Sequence, residues 1–375
     1  MNLNLKQNKG IMMDATYFPL LGMNYILNDT TQIVDLKMDG VNKVNILLCA
    51  QPNSYPHFGT LINFIFGFAY ADILRKKYRV EVEVTLDLLE HAKGEKVVHE
   101  ESVYFKPLNH TYSKDSKLSD YEFYRVFFEE LLSELSELSG VDYKIRTFNE
   151  FQKERHARRA LIDMYNNHDR IAKIITPKEN KLRTRLACPQ CGLYSTNTKD
   201  TKITVYKDKL EFSTECPEHG FCELTFDETN EVEVNPNVPM RNLMKGISII
   251  ENDAKNNTLS IVFEGSDWGG VWPLRVYYEG LKEMGYNQIP TLIYTPQILD
   301  RSGSKLSKRK YVGGDSAYRG MYDEYIVNIS LIKDELGDDA IKKLWNVFSP
   351  WASDPKYFFR DYTVNYLLEV MKEEF

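Results

Sequence analysis

From Lys43 to Cys49 apolar side chains fall on both faces of the chain, at Val44, Ile46, Leu47 and Leu48. That pattern predicts a strand buried on both sides, as in a parallel sheet. A polar break bracketed by Pro52 and Pro56 follows. Leu61 to Lys77 is then apolar almost all round, which predicts a helix sunk against a sheet. Arg79 to Leu89 alternates before turning apolar and reads as a second strand. Strand, buried helix and strand make a βαβ unit, normally parallel and right-handed. The ligand crevice of such a unit lies at the C-terminal edge of its first strand, where Pro52 to Gly59 sit.

Ser119 to Leu138 predicts an amphipathic helix. Ser119 and Glu122 form a capping box, Tyr124, Phe127, Phe128, Leu131, Leu135 and Leu138 make one apolar stripe, and Gly140 ends it. Phe151 to His168 predicts one further helix, this time basic. Leu186 to Glu233 changes character, with short β-like runs at Ile203–Lys207, Leu210–Thr214 and Phe221–Phe226, and reads as a small inserted module. Thr258–Phe263 and Ile289–Tyr294 predict further strands of the main sheet, with a helix over Pro273–Met284 between them. Beyond Lys310, helices are expected at Met321–Glu335 and Ala340–Phe348. The expected divisions are 1–185, the module 186–234, the return to the main sheet 235–310, and a short helical region 311–375.

With 375 residues, 43% hydrophobic and 27% charged, the chain has the composition of a soluble globular protein. No apolar run reaches the length of a bilayer span and the first residues lack an apolar leader, so the cytoplasm and no membrane partner are expected. A net charge of −7 speaks against blanket nucleic-acid binding, yet Glu150 to Arg185 holds ten Lys/Arg against five Asp/Glu. Such a local basic face suits a phosphate backbone; a solvated helix face laced with ion pairs is the competing expectation.

Cys188-Pro-Gln-Cys191-Gly and Cys216-Pro-Glu-His219-Gly repeat one five-residue knuckle, with 24 residues between Cys191 and Cys216. Each offers two ligands, and the glycine permits the tight turn beneath a metal, so a tetrahedral Zn²⁺ site of Cys188, Cys191, Cys216 and His219 is expected. Four protein ligands leave no open position, which makes the metal structural. Cys222 competes with His219 for the fourth place, and Cys49 reads as a small core residue.

Three loops carry the remaining chemistry. His57 precedes the buried helix beside Gly59 and Thr60, in a loop starting at Pro52-Asn53. A helix N-terminus favours phosphate, and glycine lets the backbone approach it. Gly303-Ser304-Lys305-Leu306-Ser307-Lys308 offers two lysines, with Ser307 between them, able to fold over a triphosphate. Between them, Glu264-Gly265-Ser266-Asp267 follows a strand, with Asp267 placed to orient a ribose hydroxyl or an amine, or simply to cap the next turn.

Taken together these loops resemble the two signatures of class I aminoacyl-tRNA synthetases, His-Ile-Gly-His and Lys-Met-Ser-Lys-Ser, with Thr60 in place of the second histidine and Arg309 in place of the last serine. The inserted zinc ribbon, Pro239-Met240-Arg241 and Gly265-Ser266-Asp267 make the class I lysyl-tRNA synthetases the most similar branch, with Val238 and Trp268 departing from its pattern. The resemblance covers Lys43 to Arg309. It implies a Rossmann-like α/β fold and a site in which His57, Lys305 and Lys308 act on ATP. Asn53, Gly59, Thr60, Gly265, Asp267 and Ser307 would contact the nucleotide, and Mg²⁺ would assist. The implied reaction joins an amino acid, lysine by the branch, to AMP. The adenylate would pass to a tRNA acceptor end, a carrier protein or a small molecule. Asp87, Glu90 and Asp267 are the candidates for pairing with a substrate ammonium. Lys310–Phe375 is shorter than the helical anticodon-binding region of that branch. A nucleotidylyltransferase and a catalytically silent paralogue are the competing readings.

Overall fold

The computed structural model describes residues 27–112, 117–197, 200–306 and 320–374. Its centre is a sheet built from β1 (Lys43–Ala50) and, after helix α1 (Phe58–Tyr78), β2 (Glu81–Leu88). A hairpin of β3 (Lys93–His99) and β4 (Ser102–Pro107), helix α2 (Asp120–Ser139) and β5 (Asp142–Thr147) follow. Helices α3 (Arg155–Asn166) and α4 (His168–Ile175) lead into a small antiparallel sheet of β6 (Lys202–Val205), β7 (Lys209–Cys216) and β8 (Gly220–Asp227). The chain then returns through α5 (Val238–Asn256) to β9 (Thr258–Gly265) and β10 (Thr291–Thr295). Helices α6 (Ala340–Phe348) and α7 (Val364–Glu374) belong to the C-terminal region.

The main sheet has the order β10-β9-β1-β2-β5, and every pairing in it is parallel. From β1 the chain proceeds outward through β2 to β5, then crosses to the other side of β1 for β9 and β10. The order therefore reverses between β1 and β9, and a crevice opens there at the carboxyl ends of the strands. Register brings those ends into line, with Ala50 opposite Leu88, Leu88 opposite Thr147 and Gly265 opposite Thr295.

Alternate residues of the strands feed two cores. Val44, Ile46, Leu48, Ile261 and Phe263 pack with α1, α2 and the C-terminal helices. Leu47, Val262 and Leu292 pack with α3, α4 and α5 on the opposite face. Helix α1 is nearly all apolar because it is buried against the sheet; a Cβ on Gly67 would stand 3.1 Å from the Leu48 side chain, so glycine sets that close approach. By length and composition alone α1 would suffice to cross a membrane, which the run of the sequence did not suggest, but 67% of its most apolar window is buried inside the protein.

The capping box at Ser119 and Glu122 is formed, and Gly140 ends α2 at φ +67°. The single basic helix expected over Phe151–His168 is instead three pieces. Thr147 and Glu150 make a second capping box for a short helix, Phe148–Gln152. The Glu154 carboxylate then turns inward to Arg146, Ser248 and Asn252, and α3 and α4 are separated at Asn167. Helix Pro273–Met284 is also irregular, with a π-helical segment over Leu274–Gly280. The helix expected over Met321–Glu335 is likewise broken into short turns, Glu324–Val327 and Ile332–Leu336 among them.

The basic stretch is largely an exposed face laced with ion pairs, the competing expectation, with Arg158 alone buried. Arg155 and Arg159 both pair with Glu228, and Lys153 pairs with Glu231. Arg158 is buried with its guanidinium carbon 3.8 Å from the Phe226 ring centroid; it donates to the Asp227 carbonyl, to the Val232 carbonyl at 3.0 Å and to Asn230 Oδ1 at 2.5 Å. Arg158→Ala leaves those acceptors without their donor and opens a cavity beside Phe226. It is expected to destabilise the protein by about 3 kcal/mol in denaturant unfolding, whereas Arg155→Ala, on the exposed rim, should change stability by less than about 1 kcal/mol.

Candidate active site

His57 is the N-cap of α1. Its backbone is extended, and its Nδ1 accepts a hydrogen bond from the Thr60 N–H at 3.3 Å, which places the imidazole proton on Nε2. The ring folds back over the first turn, and this is why the second residue on must be glycine: a Cβ at position 59 would lie 2.9 Å from His57 Cε1. The spacing His-x-Gly-Thr is thus one device that turns an imidazole onto a helix N-terminus. Gly59→Ala is expected to leave stability within about 1 kcal/mol, because alanine favours the helix. It should nevertheless raise the KM for ATP about tenfold by displacing the ring; melting curves and steady-state kinetics read the two effects separately.

Across the crevice, Lys305 Nζ lies 2.5 Å from Asp267 Oδ2. The turn before it is organised by buried Asp300, whose Oδ1 accepts from the Ser302 N–H at 2.8 Å, the Ser304 N–H at 3.0 Å and the Ser302 hydroxyl at 2.5 Å. Residues 300–304 are therefore pinned up to Lys305, and Leu306 N–H closes the turn on the Ile298 carbonyl at 2.9 Å. Ser307 and Lys308 lie outside the described residues. Asp267 also folds back on its own strand end, since a Cβ on Gly265 would sit 2.8 Å from Asp267 Oδ1. Asp361 from the C-terminal region fixes this corner, accepting from Ser266 Oγ at 2.9 Å and from the Gln297 N–H at 2.8 Å.

Asn53, His57, Gly59, Thr60, Gly265, Asp267 and Lys305 all line one cavity of about 590 Å³ at the carboxyl edge of the sheet. Two loops separated by some 240 residues of sequence thus meet on one space. The cavity has a second end that sequence reasoning missed, formed by Lys245, Arg241, Phe148 and Phe151, with Glu264 lining the space between it and the Gly265 turn. The signal was present: Arg241 and Lys245 stand four apart behind an Asn237 cap and Pro239, which puts both on one face of α5.

Of the carboxylates expected to meet a substrate ammonium, Asp87 is already engaged, with Arg146 Nε at 2.8 Å and Lys245 Nζ at 3.0 Å. Burial alone would raise its pKa, but the two cations outweigh that and hold it below the usual carboxylate range. Glu90 does not line the cavity; its two oxygens accept from the Phe148 and Asn149 N–H groups, both at 2.8 Å, and it serves as a buried helix cap. Asp267 is paired with Lys305. Glu264 lines the cavity with no cation within ion-pair distance among the described residues, and burial pushes its pKa up. Cys49 lines the cavity as well, its thiol pushed up to about 12 by burial, so it is protonated near neutrality.

In the small module the ligand atoms of Cys188, Cys191, Cys216 and His219 all lie within 4.8 Å of one another. His219 Nδ1 is 3.7 Å from both Cys188 Sγ and Cys216 Sγ, and Cys191 Sγ is 3.6 Å from Cys216 Sγ. A tetrahedron around Zn²⁺ with bonds of about 2.3 Å has edges of about 3.8 Å, so the donors fit that ion. Both knuckle glycines, Gly192 at φ +74° and Gly220 at φ +73°, adopt the left-handed turn the spacing called for. Cys222 is not one of the four; its Sγ lies 3.6 Å from the Gly220 carbonyl.

No family model matches the sequence, and no curated protein does. Among solved structures, the chain is similar to methionyl-tRNA synthetase of Mycobacterium tuberculosis with bound methionyl-adenylate, at 11% identity and a TM-score of 0.42, covering 88% of this chain and 68% of that one. A protein assigned as an arginyl-tRNA synthetase from Campylobacter jejuni matches at 10% identity and a TM-score of 0.33, over 87% of this chain and 68% of that one. A glutamate tRNA ligase from Elizabethkingia meningosepticum matches at 12% identity and 0.31, over 71% of this chain and 52% of that one.

Proposed function

We propose that the protein activates an amino acid with ATP, forming an aminoacyl-adenylate and pyrophosphate. The observation that supports it is the meeting of the His57 loop, the Gly265–Asp267 turn and Lys305 on one cavity at the switch point of a parallel sheet. In the proposed step a carboxylate oxygen of the amino acid attacks the α-phosphorus of ATP. The bond from that phosphorus to the bridging oxygen breaks, and pyrophosphate leaves with the electron pair. No protein nucleophile is required, and Cys49, protonated at neutral pH, is not one.

The chain's own contribution is positioning and charge. His57 presents Nε2–H at the helix N-terminus, Gly59 lets the backbone approach the phosphates, and Lys305 supplies a cation where negative charge collects on the leaving group. Asp267 releases Lys305 to the nucleotide and orients the ribose. Asn53, Thr60 and Ser307 complete the nucleotide contacts, and Lys308 extends the cationic loop. Mg²⁺ enters with the nucleotide as its counter-ion. Zn²⁺ is the ion assigned to Cys188, Cys191, Cys216 and His219, where it holds the module together and takes no part in the reaction. The acceptor of the adenylate is proposed to be a tRNA end or another carrier.

Lysine, the amino acid the sequence resemblance implied, finds Asp87, Glu90 and Asp267 all engaged by other groups of the chain. The test is amino-acid-dependent ATP–pyrophosphate exchange across the twenty amino acids, with and without total tRNA. Exchange with one amino acid is expected; silence with all twenty, in protein shown to bind ATP, would remove the proposal.

A further inference from the structure

The cavity holds two charges with no ion-pair partner among the described residues. Lys245 and Arg146 share the carboxylates of Asp87 and Glu154, with Arg146 Nη1 to Glu154 Oε1 at 2.5 Å, so those four groups balance. Arg241 stands outside that balance. Its Nη1 donates to His91 Nε2 at 2.7 Å and to Asn235 Oδ1 at 3.2 Å, and no carboxylate lies within ion-pair distance of it among the described residues. His91 is held neutral by burial and by Arg241 itself, and so offers a lone pair and no charge. The Phe148 ring centroid is 5.8 Å from the guanidinium carbon, Val238 and Leu89 line the same cavity, and the Glu90 carboxylate acts on Arg241 only from beyond ion-pair distance. Leaving a guanidinium uncompensated in such a place is costly unless a ligand brings the anion. Glu264, on the β9 end beside the nucleotide loops, is the converse: a carboxylate facing the cavity with no cation within ion-pair distance among the described residues, Lys245 acting on it only from farther off.

From this pair of opposite charges we infer that the substrate is an amino acid with an acidic side chain. Glu264 receives the α-ammonium next to the nucleotide, and Arg241 receives the side-chain carboxylate at the far end. The α-carboxylate is left unclamped to attack phosphorus. A basic amino acid in the reverse sense would put its ammonium on Glu264 and lock its only carboxylate onto Arg241, away from ATP. This inference rests on the activation reading for the role of the α-carboxylate, but the charge complementarity is measurable without any turnover.

The experiment is equilibrium dialysis of the full chain with labelled L-glutamate, L-aspartate, L-glutamine and L-lysine in the presence of a non-hydrolysable ATP analogue. Pyrophosphate exchange is run in parallel. Glutamate or aspartate should bind about 10- to 100-fold more tightly than glutamine, the usual advantage of a charge-assisted pair over a neutral one. Arg241→Gln should erase that preference. Should this variant melt early, Glu264→Gln provides the second reading, since it removes the partner of the α-ammonium and should weaken glutamate, aspartate and glutamine alike by about tenfold; unchanged binding in it would overturn the inference. Acidic binding without exchange would keep the inference and sink the activation reading. Preference for lysine or a neutral amino acid, equal binding of glutamate and glutamine, or no binding of any of the four would overturn the inference, while exchange with some other amino acid would leave the activation reading standing.

Discussion

Lys305→Ala is expected to slow amino-acid-dependent pyrophosphate exchange by about a hundred- to a thousand-fold, and His57→Ala by the same order, because each removes a preorganised donor from charge that develops only in the transition state. The two variants should differ in stability. Lys305 is exposed and its ion pair with Asp267 contributes little to folding, so its loss should leave the melting temperature unchanged. His57 also caps α1, and losing that cap costs about 1 kcal/mol. His57→Asn separates the roles: its side-chain oxygen can take the Thr60 N–H and restore stability, but no imidazole reaches the phosphates, so the rate should stay low. Full activity in His57→Asn would show that the ring acts only as a cap.

Removal of the metal gives the second large effect. The knuckle end of the small module has a sparse core, with Leu193, Val97 and Tyr104 as the apolar residues packed around the cysteines. An ion bound by those four side chains would supply what that core lacks; in isolated zinc peptides such binding contributes about 10–16 kcal/mol. Within a larger fold the loss falls mainly on the module. Cys216→Ser is expected to abolish one equivalent of bound zinc and to lower the melting temperature by about 5–10 °C. Cys222→Ser should keep the full equivalent in metal analysis, since the Cys222 thiol stands outside the four converging donors. Retention of zinc by Cys216→Ser together with its loss from Cys222→Ser would exchange their roles.

The features readable from the chain alone were those whose cause is local. The two-sided apolar run of β1, the all-round apolar α1 and the capping box at Ser119 and Glu122 each report their own burial or termination within a few residues. The paired knuckles were equally plain, because two ligands and a left-handed glycine recur at one spacing. What stayed hidden depends on partners distant in sequence. Glu154 breaks a helix by reaching Arg146, Ser248 and Asn252. Asp361 fixes the corner of the site from the C-terminal region. The ion pairs of the basic stretch could not be assigned because two of the acids in them, Glu228 and Glu231, lie some 70 residues away. Arg241 and Lys245 shared one helix face in plain view, but only the folded sheet turns that face toward the cavity. Asp87 looked available for a substrate until Lys245 and Arg146 arrived from two other elements.

The most direct test of the central claim is a crystal structure of the protein with a non-hydrolysable ATP analogue. The account predicts the triphosphate between the N-terminus of α1 and Lys305, with a phosphate oxygen at about 3 Å from His57 Nε2 and the Lys305–Asp267 pair opened. A nucleotide bound elsewhere on the molecule, with His57 and Lys305 untouched, would contradict it.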